Sequence, residues 1–322
     1  MTSTTTTSPI TTPFGFSSTA AEVVAGIDLR GGRAIVTGAS SGIGIETARA
    51  LASAGADLTL AVRNSEAGAR TAADITATTG NRRIHVVRLD LADQGSVTTF
   101  VRKWSGPLNI LVNNAGVLLT MRQLTPEGVE LQFATNHLGH FALALGLHDS
   151  LAAAGNARVV SASSEAHLRA PLAFDDVNFT SRPYDPMLVY GQSKTANVLF
   201  AVEAARRWAS DGISANAIHP GAVIETNLAR NLDPDILAAA IETAGYEYKT
   251  REQGAATSVL VAASQLLEGI SGRYFADCNE APVVDPTFTG PPRGFGVAAY
   301  ALDPENASRL WDLSLDLIGR KH

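Results

Sequence analysis

Cysteine is almost missing from this 322-residue chain, which contains only Cys278. One thiol cannot form an internal disulfide, so nothing in the sequence indicates an oxidising compartment. Long apolar runs are missing too, because none approaches the roughly 20 consecutive apolar residues that cross a bilayer. The first residues have neither the basic start nor the apolar core of a secretion signal. We therefore expect a cytoplasmic protein with no membrane span.

Positive charge is scarce as well. The chain has 25 lysines and arginines against 31 aspartates and glutamates, which gives a formal charge of −6. Proteins that bind nucleic acid neutralise its phosphates with a basic surface, so we expect no nucleic-acid partner. His137 and His140 have helical spacing, but no acidic or cysteine partner completes a metal-ligand set. We expect them to be packing residues and predict no metal site.

The residues that are present fit one large domain, since 45% of them are apolar and only 17% are charged. That balance can fill a single core. Residues 1–25 are rich in threonine and serine, so we predict a mobile or draped N-terminal tail. We assign residues 26–322 to a single domain. Within it, the segment 222–250 interrupts the pattern after a strand, and we predict a substrate lid there; the alternative is an ordinary surface excursion.

Seven short, apolar, β-branched runs alternate with long alanine-rich stretches of helical pattern. Strands that are apolar throughout are typical of a parallel sheet with helices on both faces. The alternation predicts crossover helices between parallel strands. We therefore predict an α/β fold with a doubly wound parallel sheet of the Rossmann type. The predicted strands are 34–37, 58–62, 85–89, 110–113, 158–162, 214–218 and 273–275.

A glycine-rich turn follows the first predicted strand, with the sequence Thr37-Gly38-Ala39-Ser40-Ser41-Gly42-Ile43-Gly44. Glycines permit a tight turn and a close approach of the backbone to a ligand. The helix that begins near its end presents free N–H groups and a positive dipole end to an anion. This position between strand and helix predicts a dinucleotide pyrophosphate site. The expected contacts are Gly38, Ser40, Ser41, Gly42, Ile43 and Gly44.

Tyr190 and Lys194 carry the predicted acid/base chemistry. Residues four apart lie on one face of a helix, so the Lys194 ammonium can lie beside the Tyr190 phenol and favour its ionised form. Reduction of a carbonyl produces a developing alkoxide, which needs a proton donor. An unperturbed phenol has a pKa of about 10, and a pKa of about 7 needs roughly 4 kcal/mol of preferential stabilisation of the phenolate. We predict that Tyr190 is a general acid/base.

Together these motifs resemble the short-chain dehydrogenase/reductase family, whose residues occur here in the same order between positions 33 and 221. The interval from Ser164 to Tyr190 is longer than is common in that family and resembles the retinol-dehydrogenase-like subgroup. The runs that begin at Asn136 and Ser164 point the same way. The motifs that carry the resemblance are the glycine-rich turn, Asn113-Asn114-Ala115-Gly116, Asn136, Ser164, Tyr190 with Lys194, and Pro220-Gly221.

The resemblance implies roles for four catalytic residues. Ser164 would hydrogen-bond the reacting oxygen, with Ser163 as its nearest rival. Lys194 would act beside Tyr190 and also hold the nicotinamide ribose. The carbonyl of Asn136 would bind a water that contacts the lysine; a structural alternative is that this asparagine satisfies a kink in its helix.

Further cofactor contacts are implied at the carboxyl ends of other strands. Asp90 looks like the residue that accepts from the adenine amino group, with Leu91 packing near the base. The run Asn113-Asn114-Ala115 resembles the segment beside the adenosine ribose, or it ties neighbouring strands together. Pro220-Gly221 resembles the loop that precedes the nicotinamide contact. Thr226 stands one residue later than the usual threonine, so we leave it unassigned.

The second predicted strand ends in Val62-Arg63-Asn64, at the place where a carboxylate would accept from the 2′-hydroxyl of NAD. This chain has no acid there to repel a 2′-phosphate, and the Arg63 guanidinium can hold one. The sequence therefore favours NADP. NAD is the alternative if Arg63 points into solvent.

We predict an NADP-preferring oxidoreductase that interconverts an apolar alcohol and its aldehyde or ketone. Its expected partner is that small molecule, and apolar helix faces leave room for a homo-oligomer. Two alternatives stay open: a non-catalytic, dinucleotide-binding redox sensor or scaffold, and a double-bond reductase resembling protochlorophyllide reductase.

Overall fold

A sheet of eight strands forms the centre of the protein in a computed structural model, which describes residues 8–223, 226, 228, 247–285 and 295–319. The strands are β1 (Arg33–Thr37), β2 (Asp57–Val62), β3 (Ile84–Arg88), β4 (Ile110–Asn113), β5 (Ala157–Ala162), β6 (Ile213–His219), β7 (Tyr274–Ala276) and β8 (Asn279–Glu280). Their order is β3-β2-β1-β4-β5-β6-β7-β8. All neighbours are parallel except β7 and β8. The predicted doubly wound sheet is confirmed, and all seven predicted strands agree with observed ones to within one residue at each end.

Helices cover both faces of this sheet. They are α1 (Ala20–Val24), α2 (Ile43–Ser53), α3 (Ser65–Thr79), α4 (Gln94–Lys103), α5 (Leu131–Phe133), α6 (Gly139–Gly146), α7 (His148–Ala152), α8 (Pro186–Arg207), α9 (Arg251–Ala263) and α10 (Pro304–Leu317). A π-helical turn, Ala134–Leu138, joins α5 to α6. Within the described ranges, none of the helices has the length and apolar character needed to cross a membrane.

Successive residues of β1 fill two separate cores. Ala34 and Val36 pack in the core formed with α1, α2 and α9. Ile35 packs in the core formed with α4, α6 and α8. Because side chains alternate between the two faces of a strand, a strand covered on both sides needs apolar residues at every position. This explains why the central strands are apolar throughout.

The strand order reverses beside β1, which lies between β2 and β4. Connections from β1 and β4 therefore leave toward opposite sides of the sheet and open a crevice beyond the carboxyl ends of these strands. The glycine-rich turn follows β1 directly, and the segment that begins at Asn114 follows β4. The fold thus brings the two predicted nucleotide-binding segments to one place.

A cluster of large aromatic residues fixes α10 to the sheet. Trp311 is 5% exposed, and its ring centroid lies 5.0 Å from that of Phe141 and 5.5 Å from that of Trp208. Phe200 stacks on the same indole at 6.2 Å. The C-terminal helix is therefore part of the core on the α4, α6 and α8 side.

The described part of the predicted tail lies along the edge of the sheet. The Ile10 N–H donates to the Glu280 carboxylate at 2.9 Å, and the Glu280 N–H donates to the Ile10 carbonyl at 2.9 Å. Further along, the Phe16 ring lies 4.7 Å from the Lys249 ammonium. The segment from Ile10 to Phe16 is thus bonded to β8 and contacts the chain that precedes α9.

Trp311→Ala should lower the melting temperature, because truncation of a buried aromatic side chain typically costs about 3–5 kcal/mol. Thermal unfolding followed by circular dichroism measures the change. Arg309→Ala on the same helix is the control, since its ion pair with Asp175 is exposed and such pairs contribute about 1 kcal/mol or less. Equal melting temperatures for Trp311→Ala and the unmodified protein would contradict this description of the core.

Candidate active site

The glycine-rich turn folds tightly against the chain beyond β4. A Cβ on Gly38 would lie 2.9 Å from the Cα of Ala115, and a Cβ on Gly44 would lie 2.6 Å from Nδ2 of Asn114. Gly38 and Gly42 also have φ angles of 68° and 55°, in the left-handed region that side chains disfavour. The turn therefore needs glycine at these three positions, as the sequence predicts.

Helix α2 begins directly after Gly42, and among the described residues no side chain caps its first N–H groups. These groups and the positive end of the helix dipole remain available to an anion. Ser40, Ser41 and Ile43 are partly exposed at the same end. The cradle formed by the glycines and the helix N-terminus fits the pyrophosphate of a dinucleotide.

Thr37 joins the glycine turn to the segment after β4. Its Oγ1 accepts from the N–H groups of Asn114 at 2.9 Å and Ala115 at 3.0 Å, and Nδ2 of Asn114 donates to the Thr37 carbonyl at 2.8 Å. This supports the structural role considered for the asparagine pair. Asn113 differs, because both polar atoms of its buried amide have no hydrogen-bond partner among the described residues. Buried polar groups are normally paired, so the Asn113 amide is available to a ligand.

The ends of β2 and β3 hold the other predicted adenosine contacts. Asn64 caps α3 with its side chain. Arg63 is exposed, and within the described part of the chain its guanidinium has no hydrogen bond or ion pair. Asp90 accepts a backbone N–H two residues ahead at 3.1 Å, and Leu91 is buried in the core beside α4 and α6. Of these groups, the Arg63 guanidinium is the one free to bind a phosphate.

Ser164, Tyr190 and Lys194 meet at the carboxyl end of β5. The Ser164 hydroxyl is close enough to the Tyr190 hydroxyl to lower the pKa of that phenol. The Lys194 ammonium donates to the Ala162 carbonyl at 2.9 Å and lies 5.5 Å from the centroid of the Tyr190 ring. Tyr190 is 6% exposed and Lys194 is 3% exposed. The structure thus brings the three predicted groups together at the same edge of the sheet as the glycine turn.

Burial dominates the protonation of this cluster. It raises the pKa of the Tyr190 phenol, and the hydrogen bond from Ser164 opposes this effect. Burial lowers the pKa of Lys194 to about 8. The protein's own groups therefore keep Tyr190 protonated at neutral pH. The expected lowering of the phenol pKa toward 7 stays a prediction for the complex with the oxidised cofactor.

Asn136 lies within the π-helical turn and borders the lysine. Its Nδ2 donates to the Val117 carbonyl at 3.0 Å and its Oδ1 accepts from the Val117 N–H at 2.8 Å. A Cβ on Gly116 would lie 3.4 Å from Nζ of Lys194 and 3.5 Å from Oδ1 of Asn136. Turns of this kind often mark functional sites inside helices. A π-helical turn is also a place where helices bend, which fits the structural alternative for this asparagine.

The two rival serines have different environments. Ser163 is 3% exposed, and its hydroxyl donates to the Lys194 carbonyl at 2.8 Å. That bond fixes β5 to α8 and uses the only proton of the hydroxyl. Ser164 is less buried and contacts the Tyr190 hydroxyl. The geometry therefore favours Ser164 as the serine that faces a substrate.

The two histidines in the region of α5 and α6 have internal partners. Nε2 of His137 lies 2.8 Å from the Ser314 hydroxyl oxygen, so this residue packs against α10. His140 joins the Asn136 carbonyl at 2.9 Å to the Thr37 hydroxyl at 2.8 Å. Among the described residues, no three histidine, cysteine, aspartate or glutamate side chains lie close enough together to hold a metal ion.

Two residues within the predicted lid have no role assigned from the sequence. A Cβ on Gly42 would lie 3.2 Å from Cγ2 of Thr226, which places Thr226 against the glycine turn. Leu228 packs on the cluster of Leu118 and Tyr190. Counting residues from Pro220-Gly221 could not reveal these contacts. Residues 224–225, 227 and 229–246 of the predicted lid lie outside the described residues.

Lys249, near the end of the predicted lid, contacts Gly221 and Ala222 at its start. Gly221 has a φ of 85°, and a Cβ there would lie 2.7 Å from Cδ of Lys249. The Lys249 N–H donates to the Ala222 carbonyl at 2.8 Å, and its ammonium pairs with Asp277 at 2.5 Å. The loop that begins at Pro220 therefore has a fixed base beside the crevice.

Sequence comparison decides the family. Residues 33–237 match the model of the short chain dehydrogenase family. The chain belongs to the short-chain dehydrogenase family. A "Probable oxidoreductase" of Streptomyces lividans is 52% identical and aligns with 91% of this chain and 99% of its own. Retinol dehydrogenase 12 of Mus musculus is 37% identical and aligns with 91% of this chain and 88% of its own. The resemblance to the retinol-dehydrogenase-like subgroup is confirmed.

Solved structures give the same result for the short-chain dehydrogenase fold. An uncharacterised protein of Mycobacterium paratuberculosis is 34% identical, with a TM-score of 0.72 over 92% of this chain and 97% of that chain. A 3-oxoacyl (acyl-carrier-protein) reductase of Agrobacterium tumefaciens with NADP bound is 26% identical. Its TM-score is 0.64 over 77% of this chain and 93% of that chain.

Gly44→Ala should abolish dinucleotide binding, because the added methyl group would meet the Gly38 carbonyl at 2.7 Å and the Asn114 amide at 2.6 Å. Titration of the protein into NADPH, followed by nucleotide fluorescence, measures the loss. Gly15→Ala is the matched control, since its Cβ would have no neighbour within 4 Å. Unchanged affinity in a folded Gly44→Ala variant would show that the nucleotide binds elsewhere.

Proposed function

We propose that this protein is an NADP-preferring oxidoreductase that interconverts an apolar alcohol and its aldehyde or ketone, with Tyr190 as the general acid/base. The observation that carries the proposal is the cluster of Ser164 with the buried Tyr190 and Lys194, at the sheet edge that also bears the glycine cradle. Titratable groups perturbed by burial inside a crevice are frequent at active sites. The family makes oxidoreductase activity the expected use of this cluster.

The cradle residues would hold the cofactor. The N-terminus of α2 and the glycine turn would bind its pyrophosphate, and the unpaired Asn113 amide would bind near its adenosine half. The bound nicotinamide supplies or accepts the hydride. Lys194 would hold the adjacent ribose with a proton that is not given to the Ala162 carbonyl, since an ammonium has three donors.

Tyr190 would hold the proton that accompanies carbonyl reduction. Its hydroxyl remains protonated at neutral pH because burial raises its pKa, so it can donate to an oxygen that becomes negative. Ser164 would donate a second hydrogen bond to the same oxygen. The Lys194 ammonium would then stabilise the phenolate that remains, because an opposite charge nearby favours the ionised form of a phenol. Oxidation of an alcohol would use the same residues in reverse.

Arg63 supports the preference for NADP. Its guanidinium is exposed at the carboxyl end of β2 and has no partner in the described ranges, and the next residue is the neutral cap Asn64. A guanidinium binds phosphate through paired, charge-assisted hydrogen bonds. The 3-oxoacyl reductase with NADP bound shows that a protein of this fold can hold that cofactor.

The surroundings of Tyr190 support an apolar substrate. Its ring packs with Leu118 and Ala166, and Leu228 lies against the same cluster. An apolar wall beside a few polar groups is typical of small-molecule sites. The similarity to retinol dehydrogenase 12 agrees with this substrate class. A cytoplasmic location and a homo-oligomer remain predictions from the sequence.

Tyr190→Phe should lower the rate of NADPH-dependent reduction by about 10²–10⁴-fold, the usual contribution of a positioned acid or base. The assay is NADPH oxidation with a panel of apolar aldehydes and ketones, and NADPH affinity should stay unchanged. Tyr184→Phe is the control, because its hydroxyl bonds Gln132 and Glu130 instead of Ser164.

Three results would count against the proposal. Equal turnover by the protein and its Tyr190→Phe variant would remove this residue from the reaction. Tight NADPH binding with no turnover on the panel would favour a redox sensor or scaffold. Reduction of carbon-carbon double bonds in place of carbonyl groups would favour the double-bond reductase alternative.

Arg63→Ala should raise the Kd for NADPH about tenfold and leave the Kd for NADH nearly unchanged, because only NADPH carries the 2′-phosphate. Isothermal titration calorimetry with both nucleotides measures the difference. Arg70→Ala is the matched control, since that exposed arginine lies on α3 and pairs with Glu66. Equal losses of affinity for the two nucleotides would place Arg63 away from the 2′-phosphate.

A further inference from the structure

His167 is a buried histidine close to the reacting groups that the proposed mechanism does not use. It lies in a short 3₁₀ helix, Glu165–Arg169, and its side chain is 0% exposed. Nδ1 lies 2.6 Å from the Ser164 carbonyl, and Nε2 lies 3.3 Å from the backbone nitrogen of Ala298. A carbonyl can only accept and a backbone N–H can only donate, so Nδ1 carries the proton and Nε2 is the acceptor. A neutral imidazole thus bridges Ser164 and Ala298.

Other contacts hold the ring and the backbone of His167 in place. The Tyr300 hydroxyl donates to the His167 carbonyl, and the Thr195 hydroxyl, which donates to the Ala170 carbonyl at 2.7 Å, lies 3.3 Å from the same His167 oxygen. The Tyr274 ring packs on the imidazole with centroids 5.0 Å apart. Helix α8, strand β7 and the C-terminal segment Val297–Ala301 therefore all contact this one residue, through its ring or its backbone carbonyl.

The bridge acts on the serine that faces Tyr190. Ser164 has an extended backbone, with φ −161° and ψ 159°, and its Oγ accepts from the Ala166 N–H at 3.2 Å. The hydrogen bond from His167 fixes the peptide plane that follows Ser164, and the chain runs from that plane to the Ala166 N–H, which holds Oγ. Loss of the hydrogen bond from His167 would free that peptide. Small displacements of reacting groups reduce rates strongly.

We propose that His167 is a positioning residue, which holds Ser164 in its active geometry by bridging the Ser164 carbonyl to the Ala298 N–H. The C-terminal segment Val297–Ala301 thereby contributes to the active site without touching a substrate. This inference rests on the proposed function, because it requires that Ser164 takes part in the reaction.

Two substitutions by amide side chains test the two hydrogen bonds of His167 separately. The amide nitrogen of asparagine can occupy the place of Nδ1, so His167→Asn keeps a donor for the Ser164 carbonyl. The amide oxygen of glutamine can occupy the place of Nε2, so His167→Gln keeps an acceptor for the Ala298 N–H but loses the donor. His167→Gln should reduce kcat about tenfold to a hundredfold with an unchanged Kd for NADPH. His167→Asn should restore most of kcat.

A double-mutant cycle with Ser164→Ala tests how His167 acts. We would measure kcat and KM with NADPH and the carbonyl compound that the protein reduces fastest in a panel of apolar aldehydes and ketones. If His167 works through Ser164, His167→Gln should lower kcat in the unmodified background but by less than about twofold in Ser164→Ala. The same fold loss in both backgrounds, or an equal loss for His167→Asn and His167→Gln, would overturn the proposal.

A second variant keeps the test independent of whether His167→Gln folds. Tyr300→Phe removes a hydrogen bond to the His167 carbonyl and leaves the imidazole intact. It should lower kcat in the unmodified background and have little effect in Ser164→Ala, and equal losses would contradict the inference. The proposed function fails separately: unchanged turnover by Ser164→Ala would remove the serine from the reaction, and with it the reason for positioning it.

Discussion

The buried ammonium of Lys194 is the constraint on which the site depends. Burial of a cation costs several kcal/mol unless other groups compensate. Among the described residues no carboxylate pairs with Lys194, and its ammonium donates to the Ala162 carbonyl and lies over the Tyr190 ring. Gly116 leaves the space beside the nitrogen open. A charge kept in the interior on so few contacts is a cost to stability that a catalytic role would explain.

Polar side chains connect the glycine turn after β1 with the pocket of Lys194. The Thr37 hydroxyl accepts from the backbone of Asn114 and Ala115 and lies within hydrogen-bond distance of His140. His140 in turn donates to the Asn136 carbonyl, inside the π-helical turn that borders Lys194. Since the carbonyl can only accept, Nε2 is left to accept the Thr37 proton. One chain of hydrogen bonds therefore runs from the end of β1 to the lysine pocket.

The sequence carries enough information for the sheet and for most of the candidate site. Strands that are covered on both faces are apolar throughout, so their positions can be predicted from the sequence. The turn after β1 can be predicted too, because it has glycines at positions where a side chain would not fit. Tyr190 and Lys194 share a helix face, so their spacing alone predicts that they meet.

Other features depend on contacts between distant parts of the chain. Some strands are too short to show a periodic pattern in the sequence. One is β8, and two more are Val283–Val284 and Val297–Ala298, which pair with each other. The bridge at His167 needs Ala298, which lies 131 positions further on. Thr226 lies against the glycine turn because of the conformation of the loop after Gly221, and the number of residues between them does not predict that conformation. Residues 10–16 bond to β8 for a similar reason, although their composition predicts only a tail.

The pH dependence of carbonyl reduction tests the role of the buried ammonium most directly. Burial lowers the pKa of Lys194 to about 8 and raises that of Tyr190, so the lysine loses its proton first as pH increases. If the charged form is needed, kcat/KM with NADPH should be constant below pH 7 and fall through a single ionisation near pH 8. A profile that stays level from pH 6 to pH 10 would contradict a catalytic role for the Lys194 ammonium.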